Sequence, residues 1–284
     1  MTYVAEAARL PALIGQRAGS GPALLLLPGL GSTLTEFRAV LPSLIQRYDV
    51  LALELPGQGR SPALPTTIPP TLAALTDAVE QELDRRGVAV PHVLGVSLGG
   101  RLGLELARRQ RARSVVAIGP TGPLTPPERI YQAAMLTASR LAFRAVAPVA
   151  DTLMRPLAPR AAALAVLRAR AWRTAPDEAA ALVRAFAGAE DFWRLLGCAI
   201  LPEATLNYRA VRCPVRIAQG THDLVTLSQA AWLRVLVPAA RFRILPFAGH
   251  SSIADVPQRV IALVDEAAAA AGSPSSPSGQ RPHP

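Results

Sequence analysis

Lysine is absent from this 284-residue chain, so all 30 basic side chains are Arg, and they outnumber the 20 Asp and Glu to leave a formal net charge of +10. Such an excess suits an acidic partner, either nucleic acid or an anionic membrane surface. Aromatic residues make up only 5% of the chain, however, and no basic run is interleaved with the stacking rings that a nucleic-acid groove needs. Ala and Pro are heavily used beside Arg, a pattern that GC-rich coding suffices to explain, and no nucleic-acid partner is expected. Cysteine is scarce as well. Cys198 and Cys213 have neither close spacing nor a conspicuous His partner, which argues against a zinc or redox motif and leaves two buried free thiols. No segment offers about 18 uncharged apolar residues in a row, so no membrane-spanning helix is expected. Near the amino terminus, Glu6 and Arg9 fall where a signal peptide has a basic start and an unbroken apolar core. The expectation is a cytoplasmic protein that acts on a small molecule.

Hydrophobic residues fill half of the positions, enough for a large core. The apolar run Ala23 to Leu27, bounded by Gly21-Pro22 and Pro28-Gly29, predicts a strand buried on both faces. Helical spacing over Leu34 to Arg47 and a second strand over Val50 to Leu55 follow, which together make a parallel crossover. The alternation repeats: a helix over Thr71 to Arg86, a strand over His92 to Val96, a helix over Leu98 to Arg109 and a strand over Ser114 to Ile118. From Thr121 to about Arg209 the rhythm changes. Ala-, Leu- and Arg-rich stretches broken by prolines predict helices and no strand. Alternation resumes with Val215 to Ala218, a helix over Ser228 to Val237, the strand Arg241 to Leu245 and a last helix from Pro257 to about Ala270. The predicted fold class is therefore α/β, a mostly parallel, doubly wound sheet. Residues 1–120 and 210–271 form the core domain, 121–209 an all-helical insertion, and the Ser/Pro/Gly-rich 272–284 a disordered tail.

The most informative motif is Gly95-Val96-Ser97-Leu98-Gly99, a G-x-S-x-G placed between a predicted strand and a predicted helix. So tight a turn strains the backbone of Ser97, lifts its hydroxyl clear of the sheet, and leaves no room for side chains at either flanking glycine. A serine hydroxyl also needs a neighbouring imidazole to take its proton. Of the four histidines, His250 in Phe247-Ala248-Gly249-His250 lies just after the last predicted strand. His92 begins the strand leading to Ser97 and so falls at the opposite sheet edge, where a structural role is expected. His222 adjoins an acidic candidate, and His283 sits in the predicted tail.

From Ala23 to Val264 the chain resembles the α/β-hydrolase family. Three further motifs agree with the elbow: Leu27-Pro28-Gly29-Leu30-Gly31-Ser32, the loop Glu54-Leu55-Pro56-Gly57-Gln58-Gly59-Arg60-Ser61, and Gly220-Thr221-His222-Asp223. The resemblance implies a catalytic triad of Ser97, Asp223 and His250, in the family's order of nucleophile, acid and base. It also implies an oxyanion hole made from the backbone N–H groups of Leu30 and Leu98. The family commonly has His-Gly where this chain has Pro28-Gly29, a departure that spares the backbone donor. Asp255, five residues beyond His250, is the main rival to Asp223, and Glu54 is assigned to holding backbone. A carboxylate nucleophile, as in haloalkane dehalogenases and epoxide hydrolases, is disfavoured by Ser97. Carbon–carbon bond hydrolases, cofactor-free perhydrolases, acyltransferases and ligand receptors of the same fold stay open. Ser97 chemistry needs no metal, and no cofactor is expected. The helical insertion is expected to lie over the site as a lid, with Phe143, Phe186, Phe192 and Trp193 as candidate substrate-binding residues. Arg140, Arg144, Arg168, Arg170 and Arg173 are expected on its solvated faces, leaving no charge to pair with a buried substrate carboxylate.

Overall fold

The computed structural model describes residues 9–200 and 207–272. In chain order its elements are β1 (Gly15–Ala18), β2 (Ala23–Leu27), α1 (Leu41–Leu44), β3 (Asp49–Leu53), α2 (Leu72–Arg85), β4 (His92–Val96), α3 (Leu98–Arg108) and β5 (Ser114–Ile118). After β5 come α4 (Pro126–Val146), α5 (Ala150–Leu153), α6 (Leu157–Leu164), α7 (Pro176–Gly188) and α8 (Phe192–Ile200). The chain closes with β6 (Val215–Gly220), α9 (Gln229–Leu236), β7 (Ala240–Leu245), α10 (Ser252–Asp255) and α11 (Pro257–Gly272). The strands form one sheet in the order β1-β3-β2-β4-β5-β6-β7, parallel throughout except for β1, which pairs antiparallel with β3.

Alternate residues of the central strands feed two cores. Leu25, Leu27, Val93, Val115 and Ala117 face α2, α3 and α9, while Leu24, Leu26, Leu94, Val116 and Ile118 face α1, α10 and α11. Burial on both faces explains why these strands read as unbroken apolar runs rather than alternating ones. β1 escaped prediction for the opposite reason: it is an edge strand, three of its four residues are exposed, and it carries no periodic signal. The helix expected over Leu34 to Arg47 is broken into a 3-10 turn, Leu34–Phe37, and the one-turn α1. Pro42 is the cause, because it lacks the N–H that a continuing helix would bond and so is tolerated only in a first turn.

Between β5 and β6 the described residues contain helices and no strand. They gather an apolar cluster of their own around Phe143, Met154, Leu164, Val183, Phe186 and Phe192. Residues 201–206 of the predicted insertion, the amino-terminal positions up to 8, and 273–284 of the predicted tail lie outside the described residues; Gly272 closes α11 instead of starting a tail. No helix among the described residues is long and apolar enough to cross a membrane.

Candidate active site

The sheet's carboxyl edge carries Ser97, Asp223 and His250, each just after a strand. Ser97 stands between β4 and α3 with φ 54 and ψ −118, one of three described non-glycine residues at positive φ. A sparsely populated conformation of this kind costs an L-residue of order 1–3 kcal/mol. It persists because the turn is fixed on both sides: Ser97 N–H donates to Ile118 O at 2.9 Å, and Arg101 N–H donates to Ser97 O at 3.1 Å. A Cβ added to Gly95 would come within 2.2 Å of Gly99 O, and one added to Gly99 within 2.1 Å of Leu27 O, so neither position admits a side chain.

His250 follows β7, and its Nδ1 lies 3.1 and 3.2 Å from the two carboxylate oxygens of Asp223. Asp223 is itself held from behind: Val225 N–H and Thr226 N–H donate to Oδ1 at 2.8 and 3.0 Å, and the Thr226 hydroxyl donates to Oδ2 at 2.7 Å. Burial alone would raise the Asp223 carboxyl, but the charge and hydrogen bond of His250 and the Thr226 bonds outweigh it and hold the pKa down at about 2. Burial alone would lower His250, and the charge and hydrogen bond of Asp223, assisted by Glu36, outweigh it so that the imidazole is raised above its ordinary value. Gly119, at φ +48, passes beneath this pair; a Cβ there would sit 2.8 Å from Asp223 Oδ2 and 3.0 Å from His250 Nδ1.

Ser97 and His250 line the same cavity. Its floor includes the Gly29-Leu30-Gly31-Ser32 loop. Two buried polar side chains shape that loop, neither of them singled out from the sequence for this role. Gly29 N–H donates to Glu36 Oε2 at 3.0 Å, Gly31 N–H donates to Gln58 Oε1, and Ser32 N–H returns to Gly29 O at 3.2 Å. The N–H of Leu30 is the one left over, and that of Leu98 begins a helix whose first turn has no internal acceptor. Both expected oxyanion donors are therefore unspent among the described residues.

The remaining candidates separate cleanly. His92 is buried with Nδ1 2.8 Å from the Ser114 hydroxyl, and burial lowers its pKa. His222 is exposed and lies against the Phe247 ring, away from the cavity. Cys198 and Cys213 are partly buried thiols; burial pushes the Cys213 thiol up to about 11, far from a reactive thiolate. Glu54 accepts from Arg60 N–H at 2.7 Å. No cluster of metal-binding side chains occurs among the described residues. Among the four aromatics, Phe186 lines the cavity and Phe143 lines a smaller pocket beside it. Phe192 and Trp193 do not: Phe192 is fully buried in the helical cluster, and Trp193 is half exposed. Two of the arginines expected in solvent are buried instead. Arg140 donates to Phe186 O and to Ala189 O, and Arg168 donates to the Thr174 hydroxyl at 2.8 Å and to Glu178 at 2.6 Å. Arg168 also lines the cavity, so a buried cation does stand beside it, already paired with Glu178.

The partner of His250 Nδ1 is Asp223, and Asp255 does other work. Its carboxylate accepts Gly249 N–H at 2.8 Å from the His250 loop, and Ala169 N–H at 2.9 Å and Arg170 N–H at 3.0 Å from the segment after α6. Ser251 N–H donates to Leu167 O at 2.8 Å, so His250 is pinned on both flanks. Asp255→Ala leaves three largely buried donors unpaired, at about 1–3 kcal/mol for each fully orphaned group. A fall in Tm of roughly 5–10 °C is expected by calorimetry; an unchanged Tm would show that water replaces the carboxylate without loss.

The family model described as the alpha/beta hydrolase family matches residues 24–263. A putative carbamate hydrolase of Caulobacter is 26% identical over 254 residues, 88% of this chain and 91% of that protein. A pimeloyl-[acyl-carrier protein] methyl ester esterase of Chromobacterium violaceum is 26% identical over 241 residues, 84% and 91% respectively. The acetyltransferase component of an acetoin cleaving system from Cupriavidus necator is 36% identical over 110 residues, but this chain spans only 29% of that protein's length. Among solved structures, the enol-lactonase of Burkholderia xenovorans aligns with a TM-score of 0.70 at 22% identity over 89% of this chain and 95% of its own, a likeness of fold.

Proposed function

As the chain belongs to the alpha/beta hydrolase family, we propose that it is a serine hydrolase that cleaves an ester or related carbonyl compound of a small molecule through an acyl-enzyme on Ser97. The observation that carries this reading is one arrangement: Ser97 and His250 open onto one cavity while Asp223 engages the far nitrogen of His250. In the reading, His250 takes the Ser97 proton as the hydroxyl attacks the carbonyl carbon, and Asp223 stabilises the imidazolium. The tetrahedral oxyanion receives the N–H groups of Leu30 and Leu98. Collapse expels the alcohol, which takes the proton from His250; water activated by the same imidazole then releases the acid.

The helices between β5 and β6 act as a cap over a core made of the flanking segments, and an uncharged, apolar acyl group suits the walls they supply. Leu136, Leu182 and Phe186 line the cavity, and the guanidinium of Arg168 is engaged by Thr174 and Glu178 rather than offered to a substrate carboxylate. The activities named for two relatives of similar length, a carbamate hydrolase and a methyl ester esterase, support chemistry at a carbonyl. The test is a screen over p-nitrophenyl esters and acyl thioesters of graded chain length, with the pre-steady-state phase recorded. Turnover with a burst near one equivalent of nitrophenol is expected. No turnover of any ester or thioester by folded protein would overturn the reading.

A further inference from the structure

A second pocket lies beside the catalytic cavity, between α4, α6 and α7, with Met135, Phe143, Ala163 and Val166 among its walls. The two cavities share three residues, Leu136, Leu167 and Phe186. Phe186 is the largest of the three, and its ring is held from several sides. It meets Phe143 edge-on at 5.6 Å between centroids and Phe192 at 5.1 Å. On the catalytic side it presses on the oxyanion loop: a Cβ added to Gly31 would fall 2.3 Å from Phe186 Cδ2. The residues lining the second pocket carry no charged group, and Ser139 is the one polar side chain among them, so hydrocarbon is the chemistry it fits.

Resting on the acyl-enzyme reading, we propose that this second pocket is a distal acyl site and that Phe186 is the partition that closes it off, setting the length of acyl chain the enzyme accepts. With Phe186 in place, an acyl chain attached at Ser97 ends against the ring. Removing the ring joins the two cavities into one apolar channel, and each methylene that enters it gains roughly threefold to fourfold in binding by its transfer from water. The ring's seat on Gly31 makes the oxyanion loop a second reporter of the same contact.

The test compares the parent with Phe186→Ala, Trp193→Ala and the double variant Phe186→Ala/Ala163→Phe on p-nitrophenyl alkanoates from acetate to dodecanoate. Because truncating Phe186 also costs core packing, each variant is first shown to melt cooperatively. Phe186→Ala is expected to move the optimum of kcat/KM to longer chains and to raise the long-to-short ratio by roughly tenfold or more, the gain of two or three buried methylenes. Refilling the second pocket by adding Ala163→Phe should return the ratio toward the parent's, and Trp193→Ala, on the exposed side of α8, should leave it unchanged. Binding of 1-butanol to 1-decanol by Ser97→Ala, with and without Phe186→Ala, reads the channel by calorimetry without turnover. Alkanol preference that shifts while no ester is cleaved would sink the acyl-enzyme reading and keep the partition. Esters cleaved with an unshifted ratio, or a shift that Ala163→Phe fails to reverse, would overturn the partition.

Discussion

Ser97→Ala is expected to lower kcat by roughly five to six orders of magnitude and to abolish acylation, with Tm changed by no more than a few degrees. In the proposed mechanism the hydroxyl is the bond-forming atom, whereas Ala carries the same Cβ into the same turn, so the strain at φ 54 and the packing around it stay as they are. His250→Ala should cost about as much, and the double variant little more, because a nucleophile without its base and a base without its nucleophile are equally idle. Ser97→Gly separates chemistry from strain. It should be as inactive as Ser97→Ala yet more stable by about 1 kcal/mol, since glycine adopts positive φ without the steric penalty. Stability is read by denaturant titration; a Ser97→Gly midpoint below that of Ser97→Ala would show that the elbow stores no strain.

Asp223→Asn should reduce kcat by roughly 10³- to 10⁴-fold with a much smaller change in KM. The amide cannot hold the imidazole in the tautomer that leaves its other nitrogen free to accept a proton, and it supplies no charge to stabilise the imidazolium. The pH profile carries a second signature of the same residue. His250 must be neutral to act as base, and its pKa is raised from the ordinary 6.5 because the charge of Asp223, with that of Glu36, outweighs burial. Activity of the parent should therefore rise with pH through a midpoint above 6.5 and be lost below it. Removing the Asp223 charge leaves burial less opposed, so the residual activity of Asp223→Asn should titrate at lower pH, with Glu36 and the nearby Arg168 unchanged. The profile of kcat/KM from pH 4 to 9 tests this; an acid limb that stays in place in the variant would detach His250 from Asp223.

The elements that sequence reasoning placed well share one property: a buried face. β4 and β5 have the boundaries their apolar runs predicted, because helices cover both sides of each and every residue is buried. Ser97, Asp223 and His250 were legible because each sits in a short motif that follows a strand and that resembles its counterpart in the α/β-hydrolase family, a placement that brings all three to one edge of the sheet. What escaped was chemistry that crosses the chain. Glu36, Gln58 and Asp255 act by accepting backbone N–H groups of loops that the sequence shows only as turns, and no local pattern announces such an acceptor. Arg140 and Arg168 were assigned to solvent by residue type, but backbone carbonyls, a hydroxyl and a carboxylate satisfy them inside the helical cluster. Phe192 and Trp193 adjoin each other on α8 and face opposite surroundings, one core and one solvent, because which side of a helix turns inward depends on neighbours that residue composition does not reveal.

The central claim is that Ser97 is a nucleophile activated by His250, and covalent labelling by a fluorophosphonate reads it most directly. Intact-mass and peptide analysis of the treated protein should find one adduct per chain, on the peptide carrying Ser97, formed rapidly in the parent and at a rate reduced by orders of magnitude in His250→Ala. An adduct on another residue, no adduct on folded protein, or labelling of Ser97 at the parental rate without His250 would contradict the account.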